Sequence, residues 1–103
     1  MNKFFSEYSI YDLDDNETQA AFAESLKELR NYCDLSISKL SKILNIPNQT
    51  LSSYKNKLRT PSITQAIKIT AYFGLTVEEF ILCGFDKLPQ DIAELYEARK
   101  KSI

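Results

Sequence analysis

The sequence predicts an all-α protein built from six short helices. Apolar residues recur at helical spacing along most of the chain, and capping residues precede most of these stretches. Two glycines and three prolines in 103 residues are too few for the turns of a β-sandwich. A chain of this length with 44% hydrophobic residues can form one domain around one small core. No apolar run approaches the ~18 residues of a membrane span, and no signal pattern is present, so we expect a soluble, cytoplasmic protein.

Charge is distributed unevenly along the chain, although the net charge is only −1. Residues 1–34 carry eight acidic and three basic residues, and residues 78–103 carry six acidic and four basic residues. Residues 35–77 contain no Asp or Glu, and their basic residues are Lys39, Lys42, Lys55, Lys57, Arg59 and Lys68. This acid-free block indicates a local anion-binding face. The alternative interpretation is a helical surface that lysine and arginine keep soluble.

The first helix is predicted to follow an acidic, aromatic N-terminal arm, residues 1–15. Asp15 or Asn16 is expected to cap this helix, and Glu17 is favourable in its first turn. Its apolar face consists of Phe22, Leu26, Leu29 and Cys33.

The second and third helices, Ser36 to Lys55, form the most informative unit. Two helices of about two turns each, joined by a four-residue turn, must cross steeply, as in a helix-turn-helix. Ser36 is expected to cap the second helix, Ser41 is small enough for the crossing, and Asn45 suits a turn position with positive φ. The inner faces carry Leu40, Leu44, Ile46, Leu51 and Tyr54.

The fourth and fifth helices are predicted from their caps. Ser62 caps the fourth, Gly74 ends it, Thr76 and Glu79 form a capping box for the fifth, and Gly84 ends that helix. The inner face of the fourth helix is expected to consist of Ile63, Ala66, Ile67 and Phe73. That of the fifth is expected to consist of Val77, Phe80 and Ile81.

Residues 85–103 are predicted to form a C-terminal helix that Pro89 begins. Ile92, Leu95 and Tyr96 make a narrow apolar stripe on it. Two interpretations stay open: the stripe packs on the fifth helix, or it packs on its symmetry mate as a dimer contact.

The outer face of the third helix is polar and uncharged. Its residues are Asn48, Gln49, Ser52, Ser53 and Asn56. Such hydrogen-bonding groups are typical of helices that contact base edges in the major groove of DNA. An ordinary solvated helix surface would carry lysine and glutamate more often. We therefore expect residues 16–84 to form a DNA-binding domain.

The stretch from Leu26 to Phe80 resembles the phage-repressor (Cro/CI-like, xenobiotic-response-element) helix-turn-helix family. The similarity is carried by LKELRNYCDLSISKLSKILNIPNQTLSSYKNKLRTPS and ITQAIKITAYFGLTVEEF, about 55 of the 103 residues. It includes Pro61 before the fourth helix and the junction after Gly74. The resemblance implies a five-helix domain that binds double-stranded operator DNA, usually as a homodimer on a palindromic site.

The resemblance also implies which residues contact DNA. Asn48, Gln49 and Ser53 match the main base-contacting positions, and Ser52 lies beside them. Ser36 and the start of its helix match a phosphate-binding helix N-terminus, where Lys39 also lies. The loop after the third helix follows the DNA backbone and contains Lys55, Asn56, Lys57 and Arg59. Thr50 completes the predicted DNA-binding set.

The chain departs from the family pattern at four positions. Ile37 replaces a phosphate-contacting glutamine, whereas Asn45 and Lys57 replace glycines. Arg30 matches an arginine that commonly pairs with a glutamate, but here the partner position is Lys55. We expect Lys55 to turn outward and Arg30 to find another acceptor.

Four functions were weighed against each other. The favoured one is a sequence-specific transcriptional regulator, a repressor from a phage, plasmid or bacterial chromosome. The second is an antitoxin that represses its own operon, with a protein partner bound through the arm or the C-terminal helix. The third is a protein-interaction module that has lost DNA binding, which the acidic pI near 5.4 favours.

The fourth function, an enzyme, is disfavoured. Histidine is absent, no metal-ligand spacing or glycine-rich loop is present, and no cofactor is expected. Cys33 and Cys83 are interpreted as small core residues, because two cysteines 50 residues apart in a cytosolic chain seldom form a disulfide.

The aromatic residues of the N-terminal arm are Phe4, Phe5, Tyr8 and Tyr11. The simplest interpretation is that they cover apolar surface on their own domain. The alternatives are that they cross to a second subunit, or that the acidic residues of the arm compete with DNA for the basic block.

Overall fold

A computed structural model describes residues 13–86, 94–98 and 100, and the side chains of these residues except 83–86. Its helices are α1 (Asp15–Tyr32), α2 (Ile37–Leu44), α3 (Asn48–Lys55), α4 (Ile63–Tyr72) and α5 (Val77–Asp86). Residues 94–98 are also helical, and no described residue lies in a strand. The predicted all-α fold is therefore confirmed. None of the helices in these ranges is long and apolar enough to cross a membrane.

The N-cap of the first helix lies one residue before the first of its two predicted caps. Asp14 is the N-cap: its side chain accepts a hydrogen bond from the Glu17 backbone at 2.8 Å, and the Glu17 side chain accepts one from the Asp14 backbone at 3.0 Å. The predicted caps, Asp15 and Asn16, are therefore wrong. All three residues are good capping types, and Glu17 decides among them because a capping box needs glutamate three residues after the cap.

Several helix ends follow the predicted chemistry. Ser36 and Ser62 cap α2 and α4 through their side chains. Thr76 and Glu79 form the predicted capping box of α5, with hydrogen bonds of 2.9 and 3.1 Å. Gly74 takes φ of 75°, as predicted for the residue that ends α4. The helix α5 continues past Gly84 to Asp86, against the prediction, because glycine inside a helix costs only about 1 kcal/mol.

One core joins the helices. Its buried cluster draws on all five helices, the turn before α3 and the segment between α4 and α5. Its members are Ala21, Phe22, Leu26, Leu29, Leu40, Leu44, Ile46, Leu51, Tyr54, Ala66, Ile69, Phe73, Leu75, Phe80 and Ile81. At its centre the Phe22 and Phe80 rings lie 4.9 Å apart. Buried Ser25 on α1 donates a hydrogen bond to the Phe80 carbonyl. The core holds α1 against α5 and supports the α2–α3 unit from behind.

The inner face of α4 differs from the prediction. Ala66 and Phe73 are buried as expected, but Ile63 and Ile67 are 80% and 52% exposed. Ile69 and Thr70 are buried instead. The predicted face is rotated about the helix axis, because the neighbouring helices bury the side of α4 and its end on which Ala66, Ile69, Thr70 and Phe73 lie.

The two terminal segments have different outcomes. Of the predicted arm, residues 1–15, the structure describes only residues 13–15. Leu13 packs against the core. At the other end Leu95 and Tyr96 pack against the same core, and the Tyr96 ring lies 6.2 Å from that of Phe73. Ile92 lies outside the described residues. Leu95 and Tyr96 therefore have packing partners on their own domain, and the dimer contact stays a prediction.

Tyr96 also contacts the end of α1. Its ring lies 6.0 Å from the Tyr32 ring, and the Tyr32 hydroxyl donates a hydrogen bond of 2.8 Å to Glu97. A hydrogen bond with Cys33, together with burial, raises the pKa of Tyr96 to about 12. Cys33 is a half-buried free thiol, as its interpretation as a small core residue predicts. The side chain of Cys83 lies outside the described part of the chain.

Candidate nucleic-acid interface

The turn between α2 and α3 is fixed by backbone geometry and one buried hydroxyl. Asn45 takes φ of 56° and ψ of 45°, the left-handed conformation that the sequence predicts. The Ser41 hydroxyl donates to the Ile46 carbonyl at 2.6 Å, and the Ile46 N–H donates to the Ser41 carbonyl at 3.2 Å. A larger side chain at Ser41 would displace Ile46, which is 1% exposed. The position of α3 relative to α2 therefore depends on Ser41 and Asn45.

The outer face of α3 is accessible and uncharged. Asn48, Gln49 and Asn56 are exposed, and Thr50, Ser52 and Ser53 are half-buried. The inner residues Leu51 and Tyr54 are 0% and 3% exposed. Because the apolar side of α3 is buried in the core, only hydrogen-bonding side chains are accessible on its outer side.

Two of these outer residues are already held by neighbours. The Asn48 amide donates to the Ser38 hydroxyl at 3.3 Å, which joins the start of α3 to α2. The Ser53 hydroxyl donates to the Gln49 carbonyl at 2.9 Å, so it keeps its oxygen lone pairs for an outside donor. Pro47 precedes α3 and supplies no side-chain hydrogen bond to its first turn.

The loop after α3 is basic and has a defined backbone. Lys57 takes φ of 63°; its N–H donates to the Tyr54 carbonyl at 3.2 Å, and that of Leu58 donates to the Ser53 carbonyl at 2.8 Å. This pair of bonds is a Schellman motif, with lysine where glycine is usual. The backbone therefore keeps the shape that a glycine would give it. Asn56, Lys57 and Arg59 are exposed in this loop, whereas Lys55, predicted to lie in it, is the exposed last residue of α3.

A polar cleft of about 390 Å³ lies at the start of α2. It is lined by Arg30, Asn31, Asp34, Leu35, Ser36 and Lys39. Ser36 accepts a hydrogen bond of 3.1 Å from the Lys39 backbone, so Lys39 lies in the first turn of α2. The cleft combines a helix N-terminus with two cations, which favours an anion such as a phosphate.

Arg30 has the alternative acceptor that the sequence predicts. Its guanidinium donates to the Leu35 carbonyl at 3.1 Å, while its buried Nε has no hydrogen-bond partner among the described residues. Burial lowers the pKa of Arg30 below its ordinary value. Lys55 is exposed, as expected, so the two cations do not share one buried site.

The structure thus brings together most of the predicted residues on elements that meet at the α2–α3 unit. Ser36 and Lys39 lie at the start of α2, and the six outer residues lie on or just after α3. The cations Lys55, Lys57 and Arg59 lie at the end of α3 and in the loop that follows. Arg30 was missed as a cleft residue. Its position six residues before the N-cap Ser36 places it there, because the short connection to Ser36 folds back along the end of α1.

A second contact missed from the sequence joins α3 to α4. The Tyr54 hydroxyl donates to the Gln65 side chain, and burial raises the pKa of Tyr54. Tyr54 was assigned to the core from its spacing, but nothing in that spacing identifies a polar partner on another helix.

Comparison with known proteins gives one family. A family model described as helix-turn-helix matches residues 26–80, slightly more than half of the chain. Neither curated proteins nor solved structures give a match. The matched range begins within α1 and ends in α5, so it contains α2, α3 and the basic loop.

Proposed function

The chain belongs to the Cro/CI-like helix-turn-helix family, a family of DNA-binding regulators, and from this premise we propose that it represses transcription by binding a specific operator. The observation that carries the proposal is the outer face of α3, where every apolar side chain points inward and no acidic residue is present. Such a face can enter the major groove without repelling phosphates.

We assign the base contacts to α3. Gln49 is exposed near the start of the helix and can donate and accept at one base edge. Asn48, Thr50, Ser52 and Ser53 surround it. Asn48 is held by Ser38, which limits its freedom and reduces the entropy lost on binding.

We assign the phosphate contacts to the two flanks of α3. On one flank are Ser36 and Lys39 at the start of α2; on the other are Lys55, Asn56, Lys57 and Arg59. Contacts of this kind orient a protein on the duplex without selecting sequence. Arg30 supports the first flank from the wall of the same cleft.

The proposed arrangement places residues 16–84 as the DNA-binding domain, flanked by an arm (1–15) and a C-terminal helix (85–103). The operator is expected to be palindromic and bound by a homodimer, since two-fold protein symmetry is matched by two-fold symmetry in the site. Such a regulator needs no cofactor and no catalytic group.

The proposal is tested by selecting binding sites from a random double-stranded DNA library with the full chain. We expect an enriched inverted repeat whose half-sites are about 10 base pairs apart, or a multiple of that. Placed over a promoter, this site should lower transcription in vitro when the protein is added. No enrichment over the starting library would contradict sequence-specific binding. Increased transcription would contradict repression and leave a DNA-binding activator.

A further inference from the structure

An apolar groove of about 360 Å³ lies on the side of the domain formed by α1, α4 and α5. Its walls include Thr18 and Phe22 of α1, Ile63 and Ile67 of α4, and Val77 and Ile81 of α5. The proposed DNA contacts do not use these residues, so the groove needs a separate explanation.

The groove wall on α4 exposes more apolar surface than a helix in water normally would. Ile63 and Ile67 are 80% and 52% exposed, and they stand one turn apart on the same side of α4. Burying an isoleucine side chain is favourable because it removes apolar surface from water. A cover over these two residues would therefore be stabilised considerably by their burial.

The chain enters the domain beside this groove. Leu13 packs against the core, Asp14 caps α1, and Thr18, five residues after Leu13, already lines the groove. The helical part of this stretch, Asp15 to Thr18, rises by only about 4.5 Å, and the two preceding residues add at most about 7 Å. Residues 1–12 are thus attached within a short distance of the groove, and five extended residues before Leu13 can reach about 17 Å.

The composition of residues 1–12 suits the groove. Six of these twelve residues are large and apolar, namely Met1, Phe4, Phe5, Tyr8, Ile10 and Tyr11. A cavity of roughly 150 Å³ is enough to hold benzene, so a groove of about 360 Å³ has room for two aromatic rings. Aromatic side chains also bury the most apolar area per residue.

We propose that residues 1–12 dock in their own domain's groove and cover Ile63 and Ile67 with aromatic side chains. Covalent attachment makes the docking intramolecular, with an effective concentration on the order of millimolar for a short tether. A second copy of the chain at micromolar concentration competes poorly against that. The proposal concerns a protein contact only, and it stands or falls independently of DNA binding.

The test is nuclear Overhauser spectroscopy on the full chain with ¹³C-labelled isoleucine methyl groups. We expect cross-peaks from the aromatic protons of residues 4–11 to the Ile63 and Ile67 methyls. Ile43 on α2 is the matched control, since it is 50% exposed but does not line the groove and should show none. Absence of cross-peaks at Ile63 and Ile67 would overturn the proposal.

Two further measurements exclude other occupants. In a mixture of labelled and unlabelled chains, an isotope filter retains only cross-peaks between different molecules. We expect the Ile67 cross-peaks to disappear, and their persistence would overturn docking in cis in favour of a second copy. In the Ile67→Glu variant, whose side chain is exposed enough to leave the fold intact, the cross-peaks to Ile63 should also be lost. Unchanged cross-peaks there would show that the segment contacts Ile63 without seating in the groove beside Ile67, which would overturn the proposed docking.

Discussion

Two short helices, α3 and α4, follow each other in the chain, and their outer faces differ in chemical character. On α3 the apolar residues Leu51 and Tyr54 are buried, and the outside carries amides and hydroxyls. On α4 the apolar Ile63 and Ile67 face outward. A polar face can exchange its water for base edges and phosphates, whereas an apolar face gains most from another apolar surface. The difference assigns DNA to α3 and a protein segment to α4.

The largest expected effect concerns the two sides of α3. Leu51→Ala removes a side chain that is 0% exposed and should lower the free energy of unfolding by about 2–5 kcal/mol, since it leaves a cavity. Leu58→Ala, just after the helix, is the matched control. Leu58 is 73% exposed, so its loss should change stability by no more than about 0.5 kcal/mol. Urea unfolding followed by circular dichroism measures both, and equal losses would contradict the assigned orientation of α3.

The next effect concerns base selection. Gln49→Ala should reduce discrimination between the selected operator and random DNA by about 1–3 kcal/mol, because one set of base-edge hydrogen bonds is lost. Thr64→Ala, at an exposed position of α4, should leave both affinities unchanged. If Gln49→Ala weakened operator and random DNA alike, the assignment of α3 to base contacts would be wrong.

The hydrogen bond between the two helices gives a smaller effect. Tyr54→Phe removes the hydroxyl that donates to Gln65 and should lower the free energy of unfolding by about 0.5–1.5 kcal/mol. The raised pKa of Tyr54 means that the folded state favours the neutral phenol, so its stabilising effect is present below pH 10.0 and is lost as the pH rises past the raised pKa.

The control for Tyr54 is therefore the pH dependence itself. Urea midpoints of wild type and Tyr54→Phe, measured below and above pH 10.0, should converge as the pH rises. Parallel curves would contradict the raised pKa of Tyr54, and equal midpoints below pH 10.0 would show that its hydroxyl contributes nothing to stability.

The smallest effect concerns a single phosphate contact. Lys57→Gln should weaken binding to every duplex similarly and reduce the slope of log affinity against log salt by about 0.9, because one fewer counterion is released. Lys68→Gln on α4 removes the same charge from an exposed position outside the interface and should leave the slope unchanged. Equal slopes in the two variants would show that Lys57 in the basic loop does not contact the DNA backbone.

The helix-turn-helix core could be predicted from the sequence because its signals are local. Leu40, Leu44, Ile46, Leu51 and Tyr54 are all buried as predicted, and Asn45 has the predicted conformation. Spacing within two short helices and one turn fixes these positions. The N-caps Ser36, Ser62 and Thr76 were predicted equally well, whereas Gly84 does not end α5.

The α4 face and the Arg30 contact could not be predicted in the same way. Which side of α4 is buried depends on the positions of α1 and α5, which no local spacing encodes. The burial of Thr70 in place of Ile67 is a consequence of that packing. Similarly, Arg30 finds a backbone carbonyl at Leu35. Any carbonyl within reach of its side chain satisfies the same chemistry, so the sequence alone does not select one.

The central claim, that the outer face of α3 and its flanks bind a specific DNA sequence, is tested most directly by fluorescence anisotropy. The full chain is titrated against the selected operator and a random duplex of equal length at two salt concentrations. We expect the operator to bind at least about 10³-fold more tightly than the random duplex, and both affinities to fall steeply as salt rises. Equal affinity for the two duplexes, or no binding by the folded protein, would contradict the claim.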